Sequence, residues 1–200
     1  MDQNIKLSPK RIKKKDLILE SAVTIFSQHG YNNTKLEQIT KSLDLTDKSI
    51  YYYFNSKGDL FLEVILSIQL KLNKLIESIN RMDTTHLDKI KTYTNKAMTI
   101  NGLTLLMQIP KSLSEFAKYD HIKSNEAKQY QTWTNWFQQG QSDGSMIHVD
   151  PDEHRNFLFG SLFYLHHWYA ITDNESYAHI QPFIEKMIDR MYSTQFQRLQ

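Results

Sequence analysis

Residues 34–60 read TKLEQITKSLDLTDKSIYYYFNSKGDL, and this stretch decides the fold. Thr34 followed three residues later by Glu37 has the spacing of a capping box, which predicts a helix start. Leu36, Ile39 and Leu43 then share one helical face. Asp44 and Leu45 leave room only for a sharp turn. Thr46 suits the cap of a second helix, whose Ile50 and Phe54 face the same small core. Ser56 and Asp59 repeat the capping spacing and open a third, longer helix. Two short helices crossing over one shared core make a helix-turn-helix. The outward face of its second helix carries Asp47, Lys48, Ser49, Tyr51 and Tyr52, which are donors, acceptors and aromatics with little need for burial. In this motif the second helix enters the major groove, so the pattern points to DNA contact through residues 46–53.

Composition bounds the remaining possibilities. Two hundred residues are enough to bury a sizeable core. No run of 18 apolar residues occurs, so no transmembrane helix is expected. The N-terminus has charge but no apolar segment of the signal-peptide kind, and a cytoplasmic protein is the expectation. The absence of cysteine excludes disulfides, thiolate metal sites and a cysteine nucleophile. The net charge of +2 is uninformative, but its distribution is not. Residues 1–60 carry +3 and residues 61–200 carry −1. Lys6, Lys10, Arg11, Lys13, Lys14 and Lys15 form a basic run beside the motif, suited to phosphate or minor-groove contact. Read alone, such a run is a solvated tail.

The pattern is all-α, with about nine helices and no strand signal. Residues 1–9 form a basic arm. A helix from about Lys10 to His29 has Leu17, Ile18, Ala22, Ile25 and Phe26 as its apolar stripe and Gly30 as its C-terminal cap. One long helix is expected from Ser56 to about Arg81, and another from Thr85 to Asn101. Residues 103–119 read as helical, kinked or split by Pro110. A further helix is expected from Ser124 to Gln139. Asp150-Pro151-Asp152-Glu153 then starts a helix reaching about Thr172, and a last one runs from about Ser176 to Gln195, irregular near Pro182. This gives a helix-turn-helix domain at 10–56 and a larger helical domain at 57–200.

The segment 18–61, ILESAVTIFSQHGYNNTKLEQITKSLDLTDKSIYYYFNSKGDLF, resembles the DNA-binding domain of the tetracycline-repressor (TetR) family. The resemblance rests on Ile18, Ala22, Phe26, Gly30, Tyr31, Thr34 and Ile39, then Ser49-Ile50-Tyr51 with Phe54, Lys57 and Leu60. It covers about residues 12–62. One departure is Asp44, where the family usually has glycine in the turn. The resemblance implies a ligand-responsive transcriptional regulator, a repressor bound as a homodimer to a palindromic operator in double-stranded DNA and released by a small organic effector. It implies that Thr34 offers its hydroxyl to a phosphate, and that Thr46, Asp47, Lys48 and Ser49 read bases. Tyr51 and Tyr52 would meet phosphate or thymine methyl groups, Tyr53 the backbone, and Lys57 a phosphate.

The second domain carries the remaining candidates. Met98, Met107, Phe116, Tyr119, Trp133, Trp136, Phe137, Phe163, Tyr164 and His167 are the candidate pocket for a small, largely apolar effector. Each of them singly also fits an ordinary core. The helix at 151–172 is apolar on two faces, one with Phe157, Ser161, Tyr164 and Trp168, the other with Leu158, Leu162, Leu165 and Tyr169. Paired with the last helix it suggests a two-fold bundle. The candidate interface is Leu158, Leu162, Leu165, Tyr169, Phe183, Ile184, Met187 and Met191. His166 and His167 are adjacent and diverge on a helix, so neither a metal nor any other cofactor is expected. With no nucleophile or acid–base motif there is no catalytic residue to name, and the chain reads as no enzyme. The alternative is an all-helical small-molecule-binding or interaction protein without operator-specific regulation.

Overall fold

The computed structural model describes residues 8–171 and 174–197. The described part of the basic arm is therefore only its last two residues. All elements are helical apart from a single antiparallel bridge between Met146 and Ser193, among the described residues. Two units divide the chain, Met1–Ser67 with Leu105–Asp120, and Ile68–Thr104 with His121–Gln200.

The first unit opens with α1, Pro9–Asn33. Proline at its start leaves no N–H to satisfy. Ile18, Ala22, Val23 and Phe26 bury one face. Gly30 breaks the regular helix with φ 73°, a backbone angle that glycine takes without a Cβ clash. Helix α2 (Leu36–Lys41) and α3 (Asp47–Tyr51) follow. The turn between them depends on Asp44 at φ 51°, the left-handed conformation. Leu45 N–H then donates to the Thr40 carbonyl at 2.9 Å, closing the turn. Ile39, Ile50 and Phe54 meet in the core expected of them. Each such fully buried side chain contributes roughly 1.5–3 kcal/mol.

Helix α4 (Lys57–Asn80) begins as the spacing predicts: Ser56 Oγ accepts from Asp59 N–H at 3.0 Å. Leu60, Val64, Ile65, Ile68, Leu72, Ile76 and Ile79 form its buried stripe. Phe61 packs edge-on against Phe26 and Tyr31, each with centroids 5.0 Å apart. Gly58 matters for space: a Cβ there would lie 2.8 Å from Leu113 Cδ2. The helix expected over 103–119 is instead two 3-10 turns, Leu103–Met107 and Lys111–Leu113. Pro110 removes a donor and turns the chain extended, so regular winding stops.

In the second unit, α5 is His86–Ala97 and Thr85 caps it, accepting from Asp88 N–H at 3.2 Å. Helix α6 (Ala117–Ser142) starts earlier than Ser124, because nothing between 117 and 124 interrupts it. Helix α7 (Pro151–Trp168) is capped by Asp150, whose carboxylate accepts from Asp152 and Glu153 N–H groups. The last predicted helix divides into α8 (Asn174–Ala178) and α9 (Gln181–Tyr192), followed by the single turn α10 (Thr194–Gln197). Pro182 sits in the first turn of α9, where it costs no hydrogen bond. Between α4 and α6 runs a buried polar ladder. Gln69 Nε2 donates to the Ile122 carbonyl at 3.1 Å, Gln129 Nε2 to Asn73 at 2.7 Å, and Trp136 Nε1 to Asn80 at 2.9 Å. Lys91 to Asp189 (2.8 Å) and Asn95 to Glu185 (2.7 Å) tie α5 to α9.

Candidate nucleic-acid interface

Helix α3 is short because its ends are both specified. Thr46 is extended at its N-cap, and Ser49 N–H donates to the Thr46 carbonyl at 2.8 Å. Ile50 fixes the buried side, so Lys48, Tyr51 and Tyr52 must face outward. Tyr51 is 57% exposed and Tyr52 56%. Thr46 is exposed and Ser49 half-buried, with their hydroxyls 3.1 Å apart. Tyr53 is half-buried and stands edge-on to Tyr52, centroids 5.0 Å apart. The Arg11 guanidinium lies 4.9 Å from the Tyr52 ring centroid, so the start of α1 is tied to the end of α3. The Asp47 side chain lies outside the described residues.

Two residues expected at phosphate are used internally. Thr34 is buried, and its hydroxyl donates to the Gly30 carbonyl at 2.7 Å. It therefore closes the break in α1 and does not form the expected box with Glu37. The cap of α2 is Lys35, whose N–H donates to Gln38 Oε1 at 2.7 Å. Lys57 Nζ donates to the carbonyls of Tyr31 (2.9 Å) and Thr34 (3.0 Å) and sits 4.4 Å over the Tyr31 ring. Its charge serves carbonyls that the α1–α2 connection leaves unpaired. The fold also exposes two lysines that sequence reasoning passed over, Lys35 and Lys41, one at each end of α2. Their position flanking a short helix was the available signal.

Behind this face lies an ion-pair cluster. Lys15 Nζ pairs with Glu63 at 2.9 Å, and Lys118 pairs with Glu63 at 2.7 Å and with Asp59. Burial pushes the Glu63 carboxyl up, but hydrogen bonds from Lys118 and Lys15 outweigh it and hold the group below its ordinary value. Burial lowers Lys118, and its bonds to Asp59 and Glu63 raise it above the usual lysine range. The cluster clamps α1, α4 and the start of α6 within the first unit.

The candidate pocket positions fall in both units. Met107, Phe116 and Tyr119 belong to the first unit, and Met107 is 65% exposed. In the second unit Met98, Trp133, Trp136 and Phe137 are buried, Phe163 is half-buried, and Tyr164 and His167 are exposed. Trp133 is the centre, with Tyr93 at 5.0 Å and Phe159 at 4.7 Å between ring centroids.

The candidate interface positions divide as well. Leu158, Leu162 and Ile184 are buried inside the chain itself, so they are core and cannot cover a partner. Leu165, Met187 and Met191 are half-buried, and Tyr169 and Phe183 are exposed. The open stripe of α7 is its other face: Phe157, Tyr164 and Trp168, with Tyr164 and Trp168 stacked at 6.0 Å.

A helix-turn-helix that turns hydroxyls, tyrosines and lysines outward, followed by an all-helical second unit, defines a DNA-binding regulator. The chain matches the family model for bacterial regulatory proteins of the tetR family over residues 18–64. The biofilm operon icaADBC HTH-type negative transcriptional regulator IcaR of Staphylococcus epidermidis is 23% identical over 188 residues, which span 90% of this chain and 95% of that protein. Among solved structures, the ketosteroid transcriptional regulator KstR2 of Mycobacterium tuberculosis superposes with TM-score 0.77 at 16% identity, over 90% of this chain and 95% of that one. AibR, solved in complex with isovaleryl coenzyme A and operator DNA, gives TM-score 0.71 at 14% identity, over 89% and 97%. At these identities the structures attest the fold. Over residues 18–64 the chain matches the DNA-binding domain of the tetR family, and along most of its length it is similar to IcaR, a transcriptional regulator.

Proposed function

We propose that the chain is a ligand-responsive repressor that binds a palindromic operator as a homodimer and leaves it when a small, largely apolar effector binds. The observation that carries this reading is the outward face of α3, where Lys48, Tyr51 and Tyr52 stand in solvent with Thr46 and Ser49 beside them. Thr46, Lys48 and Ser49 read base edges, while Tyr51, Tyr52, Arg11, Lys35 and Lys41 contact phosphate. The Asp47 side chain belongs to the base-reading group by its position alone.

The dimer is proposed on the exposed face of α7 with Tyr169 and Phe183, because a monomer rarely leaves so many large aromatics open. Two-fold pairing then requires two half-sites about one helical turn, roughly 34–36 Å, apart. The supporting argument for an effector is the aromatic second unit around Trp133. IcaR is a negative regulator, which favours repression here. The test is selection of bound sequences from random duplexes, followed by footprinting with the purified protein. An inverted repeat protected on both arms is the expected result. Retention of random DNA without a consensus would refute operator recognition.

A further inference from the structure

Three helices of the second unit each carry one buried polar atom without a hydrogen-bond partner. They are Thr94 Oγ1 on α5, Trp133 Nε1 on α6 and His166 Nε2 on α7. All three residues are at least nine-tenths buried. Ring contacts join these helices: Tyr93, next to Thr94, packs on Trp133, and Trp133 packs on Phe159, two turns before His166. His166 closes the circuit, because its imidazole hydrogen bonds to the backbone of Met98, one turn beyond Thr94. Trp133 Nε1 lies beside the Tyr93 hydroxyl but makes no hydrogen bond of normal geometry.

Buried polar atoms are nearly always paired, so three orphans on facing helices call for an explanation. With the Met98 bond assigned to Nδ1, the tautomer leaves Nε2 as a bare acceptor aimed at the interior. The Thr94 hydroxyl can donate or accept, and the indole N–H can only donate. A bound hydroxyl, donor and acceptor at once, would satisfy Thr94 and His166. A charged head would be buried among uncharged partners, which is unfavourable.

We infer that the second unit binds an uncharged, hydroxyl-bearing amphipathic molecule, its hydroxyl between Thr94 and His166 and its apolar body along Trp133 and Phe159. This rests on the effector reading above and names the chemical class of the effector. The test uses two isomeric probes, 1-octanol and 1-methoxyheptane, which share atoms and apolarity but differ in one donor. Octanoate serves as the charged third probe. Binding is read on the full chain by tryptophan fluorescence and thermal shift. 1-Octanol should bind about tenfold more tightly than the ether, the loss expected when a buried acceptor goes unpaired. It should also outbind octanoate. His166→Phe should erase the preference for the alcohol. Thr94→Val keeps the side-chain shape and removes an orphan. It should raise the melting temperature of the free protein by about 2–4 °C while weakening octanol.

Equal binding of alcohol and ether, tighter binding of octanoate, no binding of octanol, or a lowered melting temperature in Thr94→Val would each overturn the inference. Probe-driven release from the operator with no preference for the hydroxyl would sink it alone and leave the effector reading standing. An operator complex that no effector disturbs would remove both.

Discussion

Helices α3 and α7 both turn aromatic rings to solvent, and their surroundings separate them. On α3 the rings are tyrosines flanked by hydroxyls, with Lys48 on the same face and Arg11 over Tyr52. On α7 they are Phe157, Tyr164 and Trp168, with the phenylalanine of α9, Phe183, also open. A surface of the first kind loses little by standing in water and gains when a polyanion arrives. A surface of the second kind gains by excluding water, and its natural occupant is another apolar surface. Exposure alone therefore does not assign a function. The polar groups interleaved with the rings do.

The largest expected effect comes from giving the second surface the character of the first. Trp168→Glu combined with Phe183→Glu places charge in the proposed apolar contact, where it would be desolvated without a partner. The expected outcome is a monomer by light scattering with unchanged helical circular dichroism. Operator affinity should fall by about 100-fold, because one half-site must then hold alone. A double variant that still sediments as a dimer would move the interface elsewhere.

The next effect separates the interiors of the two units. Burial holds the His166 imidazole down to about 4, with His167 adding slightly in the same direction and the Met98 backbone opposing it. An unfolded chain takes up this proton first as the pH falls. The corresponding stability is present above about pH 6.5 and drains between 6.5 and 4. The loss is about 3 kcal/mol in this window. Denaturant titrations at pH 7 and pH 4.5 measure it, and His166→Phe should flatten the difference.

A smaller contrast lies within the first unit, between two lysines that sequence reasoning treated alike. Lys48 stands in solvent, whereas Lys57 donates to two carbonyls of the α1–α2 connection. Lys57→Met should cost about 2 kcal/mol in folding stability, as hydrogen bonds to a charged group are lost. Lys48→Ala should leave the melting curve alone and reduce the slope of log affinity against log salt by about 0.9. Reversal of these two signatures would show that Lys57 is the phosphate contact.

These contrasts mark how far the sequence could be read. The core of Ile39, Ile50 and Phe54 was legible because helical spacing repeats locally. The caps at Ser56, Thr85 and Asp150 were legible because a cap oxygen and the N–H that donates to it lie within three residues. Lys57 was not, because its acceptors sit 23 and 26 residues away and only the fold brings them near. Thr34 was misread as a cap for a related reason: its hydroxyl closes the break behind it at Gly30. On α7 two apolar stripes were visible, and periodicity has no means of choosing between them. Packing chose Leu158 and Leu162 for the inside and left Phe157, Tyr164 and Trp168 outside.

The smallest expected effect concerns the turn that sets the angle between α2 and α3. Asp44 holds φ 51°, which for a residue with a Cβ costs about 1–2 kcal/mol, eased in Asp by its short polar side chain. Glycine would remove that strain, yet an unfolded chain with glycine is freer by roughly 0.5–1 kcal/mol. The two terms nearly cancel, so Asp44→Gly should stabilise by only about 0.5 kcal/mol, or roughly 1–2 °C in melting temperature. Asp44→Ala keeps the strain and loses the local polar compensation, so it should destabilise by about 1 kcal/mol. Operator affinity should be unchanged in Asp44→Gly, because the turn geometry is the one glycine prefers. If glycine instead lowered both stability and affinity, the aspartate side chain itself would be holding the turn, through contacts of the carboxylate and not through tolerance of the backbone angle.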